Sequence, residues 1–249
     1  MHGEVVEVVR LTPSMVRVVL GGHGLDGYQP TDFTDQYVNA LFAPPGAPEG
    51  RTVGRRYTIR RWDPDRRQVW IDFVLHGDVG HAGRWANHAQ PGDVLAFVGP
   101  SGAYRPSTAC DWHLMVGDES ALPAIAASLE AVRPEVPVIV VAVVDGPEHE
   151  LVLDTPGAAD VRWIHRCTDP GNPDLLPEAV RALDFPEGVA DVFVHGEAAE
   201  VRAVRRHLVA DRGIPKEGAS ISPYWRRGLD DEGWREIKSA WLKEQQRDV

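Results

Sequence analysis

The character of the chain changes between residues 100 and 112, and this change constrains the fold more than any other feature of the sequence. Before it, β-branched runs are broken by turn residues; after it, apolar runs alternate with stretches of helical periodicity. The first pattern predicts a small antiparallel barrel, and the second predicts a parallel sheet covered by helices on both faces. We therefore predict two domains, an all-β domain over 1–106 and an α/β domain over 107–249 that ends in a terminal helix.

The segment Arg55-Arg56-Tyr57-Thr58 carries an R-x-Y-T pattern on a predicted strand. Because side chains alternate along a strand, Arg55 and Tyr57 are expected on one face, with Thr58 on the other face or engaged through its backbone. Arginine can bind a phosphate with two hydrogen bonds, and tyrosine can lie along a planar ring system. The pattern indicates a flavin site; an edge strand with a solvated arginine is the structural alternative.

A glycine-rich turn, Gly80-His81-Ala82-Gly83, leads into a short helix predicted over 84–89. The start of a helix offers unpaired backbone N–H groups, and glycine allows a phosphate to approach them closely. We expect this turn to bind the phosphates of the same cofactor. Trp85 could contact the cofactor or belong to the core below the turn.

The run from Arg55 to Gly99 resembles the siderophore-interacting protein family, which are flavin-dependent ferric-siderophore reductases of the ferredoxin-reductase superfamily. Matching blocks follow in order at 117–125, 195–198 and 224–228, so the resemblance spans nearly the whole chain. It implies FAD bound between an N-terminal antiparallel FAD-binding barrel and a nicotinamide-binding-type α/β domain. It also implies hydride transfer from NADH or NADPH to the flavin, followed by single-electron reduction of ferric iron held by a siderophore, which releases Fe(II).

The resemblance implies cofactor contacts in both domains and no catalytic side chain, since the flavin carries the chemistry. One departure is that the family commonly has G-P-A-S where this chain has Gly-His-Ala-Gly, so Gly83 lacks a hydroxyl that could bind phosphate. A structural role is the alternative for His76, and a hydrophobic hinge before the terminal helix is the alternative for Tyr224 and Trp225. The implied contacts are Arg55, Tyr57, Thr58, Asp72, Val74, His76, Gly80, Ala82, Gly83, Trp85, Asp118, Glu119, Ser120, Ala121, Tyr224 and Trp225.

The substrate would be met by a local basic patch, because ferric siderophores are often anionic and the net charge of the chain is −11. The candidate substrate contacts are Lys216, Arg226, Arg227 and Lys238. The three acids in the segment 145–150 would repel a 2′-phosphate, which favours NADH over NADPH. A solvated acidic loop without a role is the alternative.

The same net charge argues against nucleic acid or an anionic membrane surface as the main partner. The two cysteines have no Cys-x-x-Cys spacing and no paired histidine, so neither a disulfide framework nor a metal site is predicted. The longest apolar run, 136–144, is too short to span a bilayer, and no signal segment is recognised, so we expect a cytoplasmic monomer. Two other functions stay open: a flavin or electron-transfer reductase of the same fold, and a ferric-siderophore carrier with a structural flavin.

Overall fold

The computed structural model describes residues 1–44, 46, 48, 50–75 and 80–245. Contacts divide the chain into two compact units. The first comprises residues 1–105 with 126–128, and the second comprises 106–125 with the chain from 129 onward. Among the described residues, no helix is both long and apolar enough to cross a membrane.

The first unit is a closed antiparallel barrel, as predicted. Its strands are arranged in the order β1-β2-β5-β4-β3-β6, and closure leaves no sheet edge available for pairing with another chain. Alternate residues point into a core that includes Phe73 and Phe97. The six strands are β1 (His2–Thr12), β2 (Met15–Gly21), β3 (Tyr37–Phe42), β4 (Val53–Asp63), β5 (Gln68–Val74) and β6 (Val94–Ser101).

One helix, α1 (His81–His88), packs on this barrel through Ala82 and Ala86, which lie one turn apart. The helix begins three residues before the predicted start. Gly80 precedes it with a φ of 75°, a conformation that glycine adopts without steric cost, so the chain turns into the helix directly after this residue.

The second unit is built on a five-stranded parallel sheet in the order β11-β10-β7-β8-β9. All seven residues of β7 and all seven of β8 are buried, so both faces of the sheet centre are covered. This confirms the predicted architecture. Its strands are β7 (Trp112–Asp118), β8 (Val138–Val144), β9 (Ala159–His165), β10 (Ala190–Glu197) and β11 (Ser220–Trp225), and the remaining helices are α2 (Leu122–Leu129), α3 (Leu175–Arg181), α4 (Ala198–Arg206) and α5 (Asp231–Gln245).

The helical spacing of Trp234, Ile237 and Trp241 predicts that the terminal helix packs through these side chains, and α5 packs through the two tryptophans. The rings of Trp234 and Trp241 meet edge to face at a centroid distance of 5.6 Å, and both are buried. Ile237, which was expected on the same packing face, is 39% exposed instead. The sequence pattern predicts a last strand over 219–222, with Tyr224 and Trp225 beyond it. In the structure both residues form the end of β11.

Candidate functional site

The R-x-Y-T segment lies on β4, and its side chains differ in burial. Arg55 and Tyr57 are half-buried and retain accessible surface, whereas Thr58 is buried opposite Tyr37 of β3. Arg55 Nη1 donates to the Gly54 carbonyl at 3.0 Å. The strand therefore presents one guanidinium and one aromatic ring, both partly exposed, two residues apart.

Four aromatic rings link this strand to α1. The ring of Tyr57 lies 4.3 Å from Phe73, and the ring of Trp85 lies 5.7 Å from Phe73 and 5.8 Å from Phe42. Both Tyr57 and Trp85 pack against the barrel core and remain half-buried. Each side chain thus has a structural role, and the outer part of each ring is available to a planar ligand.

The glycine-rich turn leaves the start of α1 open. No side chain of the described residues caps the helix, and a Cβ added at Gly80 or at Gly83 would meet none of their atoms within 4 Å. Ala82, between them, is buried. A helix start with free N–H groups and open space favours an anion.

Asp72 has a different environment from the one predicted for a cofactor contact. Its buried carboxylate accepts two hydrogen bonds from Arg17, from Nε at 2.6 Å and from Nη2 at 2.8 Å. This pairing joins β5 to β2 and favours a structural role for the side chain. Val74 is half-buried at the end of β5, and His76 lies outside the described residues.

Within the barrel, the donor set fits FAD. A guanidinium and an uncapped helix start can bind phosphate charge, and two partly exposed aromatic rings can contact a flavin or an adenine. The open space at Gly80 and Gly83 allows the approach that phosphate binding requires. The assignment of individual contacts remains a prediction.

In the second unit, the direction of strand addition reverses between β7 and β10, which is where open parallel sheets bind ligands, at the carboxyl ends of the strands. Two glycines line this point. A Cβ at Gly117 would lie 2.5 Å from the Cβ of Ala121, and one at Gly196 would lie 2.7 Å from Asp118 Oδ2. Both positions therefore require glycine, because the chain segments approach too closely for any side chain.

Asp118 is the centre of a hydrogen-bond network at this reversal. Its Oδ1 accepts from the Ser120 backbone N–H at 2.9 Å and from the Ser120 hydroxyl at 2.5 Å. Its Oδ2 accepts from the Glu197 N–H at 2.9 Å and from Trp225 Nε1 at 2.7 Å. Of the six cofactor contacts predicted in this unit, the structure thus joins Asp118, Ser120 and Trp225 through their own side chains, whereas Ala121 is fully buried.

Further buried carboxylates surround this network. Glu197 Oε2 caps α4 by accepting from the N–H groups of Ala199 and Glu200, at 2.6 and 3.0 Å. Burial, followed by the charge of Asp118, raises the pKa of Glu200 to about 7. Burial also raises the pKa of Glu119, although its 2.6 Å hydrogen bond from Arg166 opposes the shift.

Glu197, Glu200 and Arg166 were not among the predicted site residues. Glu197 lies inside the matching block at 195–198, so a signal for it existed in the sequence. Arg166 and Glu200 had no such signal, because their partners come from distant segments.

The acidic segment 145–150 is less negative than its composition indicates. Asp145 pairs with Arg166 at 3.0 Å, and Glu150 lies 2.8 Å from His165. Glu148 lies 3.6 Å from His149. Asp145 thus has an arginine partner, whereas the neighbours of Glu148 and Glu150 are histidines, so the preference for NADH over NADPH stays a prediction.

Two of the predicted substrate contacts are held by hydrogen bonds near the end of the chain. Arg227 donates from its backbone N–H to Glu197 and from Nη2 to Glu200, at 3.0 and 3.1 Å, and its side chain remains 47% exposed. Lys238 Nζ donates to the Pro223 carbonyl at 2.8 Å. These contacts place both cations beside β11.

The other two predicted substrate contacts differ in exposure. Arg226, the residue after β11, is half-buried, and Lys216 is exposed. Lys216 lines a cavity of about 410 Å³ together with Arg205 of α4. Contact of Arg226 and Lys216 with the substrate remains a prediction.

Tyr224 contacts a histidine of the matching block. Its ring lies 4.8 Å from the ring of His195, which is stacked on Phe193 at 4.0 Å. Burial, followed by the charge of Lys238, lowers the pKa of His195 to about 3. His195 is therefore neutral near pH 7, and this group supports the end of β10 rather than supplying a charge.

Comparison with known protein families gives two matches. A model described as "Siderophore-interacting protein" matches residues 110–228. A model described as "Siderophore-interacting FAD-binding domain" matches residues 4–51 and 47–104.

Three curated proteins are similar over most of their length. An uncharacterized protein of Mycobacterium tuberculosis is 40% identical, covering 97% of this chain and 94% of its own. The ferric vibriobactin reductase ViuB of Vibrio cholerae is 30% identical, covering 94% and 92%. The NADPH-dependent ferric-chelate reductase of Escherichia coli is 30% identical, covering 89% and 91%.

Two solved structures share the fold. A siderophore utilization protein from T. fusca has a TM-score of 0.82 at 36% identity, covering 93% of this chain and 94% of its own. The siderophore-interacting protein SipS from Aeromonas hydrophila has a TM-score of 0.86 at 28% identity, covering 98% of each chain.

Proposed function

Because the chain belongs to the siderophore-interacting protein family and carries that family's FAD-binding domain, we propose that it reduces ferric siderophores with electrons from a nicotinamide. The observation behind this proposal is that one barrel carries a helix start uncapped by any described side chain, the half-buried Arg55, and the linked, half-buried rings of Tyr57 and Trp85. The names of the Vibrio cholerae and Escherichia coli relatives, both ferric reductases, support the same activity.

In this function, the residues of the barrel bind and orient FAD. Arg55 would pair with phosphate charge, and the N–H groups after Gly80 would donate hydrogen bonds to the same anion. Tyr57 and Trp85 would contact the flanking rings. Bound flavin supplies the capacity to take an electron pair from a nicotinamide and to release electrons singly.

The edge of the parallel sheet at Asp118 would receive the nicotinamide. The hydrogen bonds of Asp118 hold the turn after β7 in a defined conformation before any ligand arrives. Pre-ordering of this kind lowers the entropy cost of binding. The name of the Escherichia coli relative supports a nicotinamide donor.

The ferric siderophore is the substrate, and its contacts would be basic. Arg226 and Arg227 follow β11 directly, and Arg227 keeps an exposed guanidinium although it contacts Glu200. Since Fe(II) binds hard oxygen ligands less tightly than Fe(III), reduction releases the metal without a protein nucleophile or acid.

The test is an anaerobic optical titration of the FAD-loaded protein. Addition of NADH or NADPH should bleach the flavin absorbance, and a ferric siderophore should restore it while a chelator traps Fe(II). Bleaching without restoration would indicate a flavin or electron-transfer reductase that does not use siderophores. Siderophore binding without bleaching would indicate a carrier and would contradict the proposed reductase activity.

A further inference from the structure

Three metal-ligand side chains meet at the amino ends of β7 and β10, the sheet edge opposite to Asp118. Cys110 precedes β7, His113 is its second residue, and Asp191 is the second residue of β10. Cys110 Sγ lies 3.4 Å from His113 Nε2, and His113 Nδ1 lies 3.0 Å from Asp191 Oδ2. One ligand atom from each residue can be chosen so that all three lie within 4.8 Å of one another.

The cluster is enclosed by protein. Cys110, His113 and Asp191 are 4%, 0% and 7% exposed. The backbone of Ser107 contacts the same cluster, since its N–H donates to Asp191 Oδ2 at 3.0 Å and its carbonyl accepts from Cys110 Sγ at 3.4 Å. The neighbouring residues Thr108 and Ala109 are exposed, so this short segment offers an entry path from solvent.

The donor set matches a transition metal of the zinc type. Thiolate, imidazole and carboxylate are the protein ligands of Zn²⁺, at bond lengths of about 2.0–2.3 Å. In a tetrahedral site such bonds place neighbouring ligand atoms about 3.3–3.5 Å apart. With Nδ1 of His113 as the ligand atom, the separations are 3.7 Å to Cys110 Sγ and 3.0 Å to Asp191 Oδ2, one above and one below these values.

From this geometry we propose that Cys110, His113 and Asp191 bind a divalent metal ion of the zinc type. Binding forms a metal–sulfur bond, breaks the S–H bond of Cys110 and releases that proton to solvent. The thiolate and the carboxylate then balance the two positive charges of the ion. Arg133 donates from Nη2 to the Cys110 carbonyl at 3.4 Å and so helps to fix the position of this residue.

The metal would have a structural role in the second unit. It would tie the segment at Ser107 to the start of β7 and to β10. Without the metal, these segments are joined by the pairing of β7 with β10 and by the hydrogen bonds of Asp191. It contacts none of the residues assigned to cofactor or substrate. The site is therefore independent of the proposed reductase activity.

The prediction from sequence was that no metal site exists, and the cluster disagrees with it. The statement that neither cysteine has a paired histidine was wrong, because the spacing Cys110-x-x-His113 is present in the sequence; two ligands at that spacing are nevertheless insufficient. The third ligand follows His113 by 78 residues and reaches the cluster only because β10 lies beside β7.

The experiment is a Co²⁺ titration of the full-length, EDTA-treated protein, recorded as a difference spectrum against metal-free protein of equal flavin content. Co²⁺ bound to a thiolate gives a near-ultraviolet sulfur-to-metal absorption, which we expect to saturate at one ion per chain. Zn²⁺ should then displace Co²⁺ and abolish the band. Absence of the band in folded protein would overturn the proposal.

Variants assign the ligands. Cys110→Ser should abolish the band, whereas Cys167→Ser, which removes an exposed cysteine of the same unit, should retain it. Asp191→Asn keeps the shape of the side chain and should weaken Zn²⁺ binding at least about tenfold. If Cys110→Ser retains the band, or if Asp191→Asn binds Zn²⁺ as tightly as the parent, the cluster is a hydrogen-bonded one only.

Folding of the variants is checked by circular dichroism without metal. If Cys110→Ser does not fold, the parent titration and Asp191→Asn still decide the outcome. The anaerobic flavin titration is unaffected by either result, so failure of the metal site and failure of the reductase activity are distinguishable.

Discussion

The indole Nε1 of Trp225 donates a 2.7 Å hydrogen bond to Asp118 Oδ2 and thereby joins the end of the last strand to the end of the central strand. Since β10 separates these two strands, the bond crosses over the end of that strand. The Glu197 N–H, at the end of β10, donates to the same oxygen. One carboxylate thus holds three strand ends at the place where parallel sheets bind ligands.

Replacement of this carboxylate should destabilise the second unit. Asp118→Asn replaces the carboxylate by a neutral amide, so four donors lose a charged partner and two of them face the amide nitrogen instead of an oxygen. The expected loss in the free energy of unfolding is about 2–4 kcal/mol, measured by urea unfolding. Asp145→Asn, which removes an exposed carboxylate, should cost less than about 1 kcal/mol; equal losses would contradict the role of Asp118.

Stability should depend on pH through two buried groups of opposite effect. The pKa of Glu200 is raised from 4.5 to about 7. Its contribution to the free energy of unfolding is therefore complete below pH 4.5 and is lost as pH rises towards 7. The pKa of His195 is lowered from 6.5 to about 3, so its contribution is complete above pH 6.5 and is lost as pH falls. Between pH 4.5 and 6.5 the two effects oppose each other.

Glu200→Gln removes one of these effects. Across that window, the free energy of unfolding of the variant should rise with pH more steeply than that of the parent, by about 1.4 kcal/mol per pH unit. Denaturant unfolding at closely spaced pH values measures the slopes. Parallel profiles would show that Glu200 does not hold a proton in the folded state.

Arg55 should contribute to FAD affinity. Arg55→Ala removes a charge-assisted pair with phosphate and should raise the FAD dissociation constant about tenfold or more, as measured by fluorescence titration. The matched control is Arg56→Ala, because Arg56 is exposed and its guanidinium lies over the ring of Tyr37 at 5.4 Å. Similar FAD affinities for the two variants would contradict the assignment of Arg55 as a phosphate contact.

Tyr57 should contact the flavin as well as the core. If Tyr57 served only the core, Tyr57→Ala would lower the melting temperature and leave the spectrum of bound FAD unchanged. We expect both to change, because the ring packs on Phe73 yet stays half-buried. Spectra of the loaded variant, recorded below its melting temperature, separate the two contributions.

Gly83 should limit how tightly FAD is held. Gly83→Ser adds a hydroxyl at the start of α1, where a Cβ meets nothing within 4 Å, and should lower the FAD dissociation constant about twofold to tenfold. Gly83→Ala adds helix propensity without the hydroxyl. An equal gain in affinity for both variants would assign the effect to helix stability instead of phosphate binding.

The sequence was sufficient for most of the secondary structure, because strand and helix periodicity is local. The pattern predicts a strand over 37–41, which is observed as Tyr37–Phe42. It also predicts a turn at Thr12-Pro13-Ser14, where β1 and β2 meet. The start of α1 was predicted late, since glycine at position 83 weakens the helical pattern. Ile237 has the spacing of a packing residue, yet its periodicity does not show where the packed face ends.

The sequence by itself determined the barrel, the parallel sheet, the family and the R-x-Y-T strand, because these depend on patterns within short segments. Only the tertiary structure decided which charges are already paired. Asp72 meets Arg17 across 55 residues, Trp225 meets Asp118 across 107, and Asp191 meets His113 across 78. These contacts depend on the order of strands in each sheet. They therefore also determine which polar side chains can still bind a ligand.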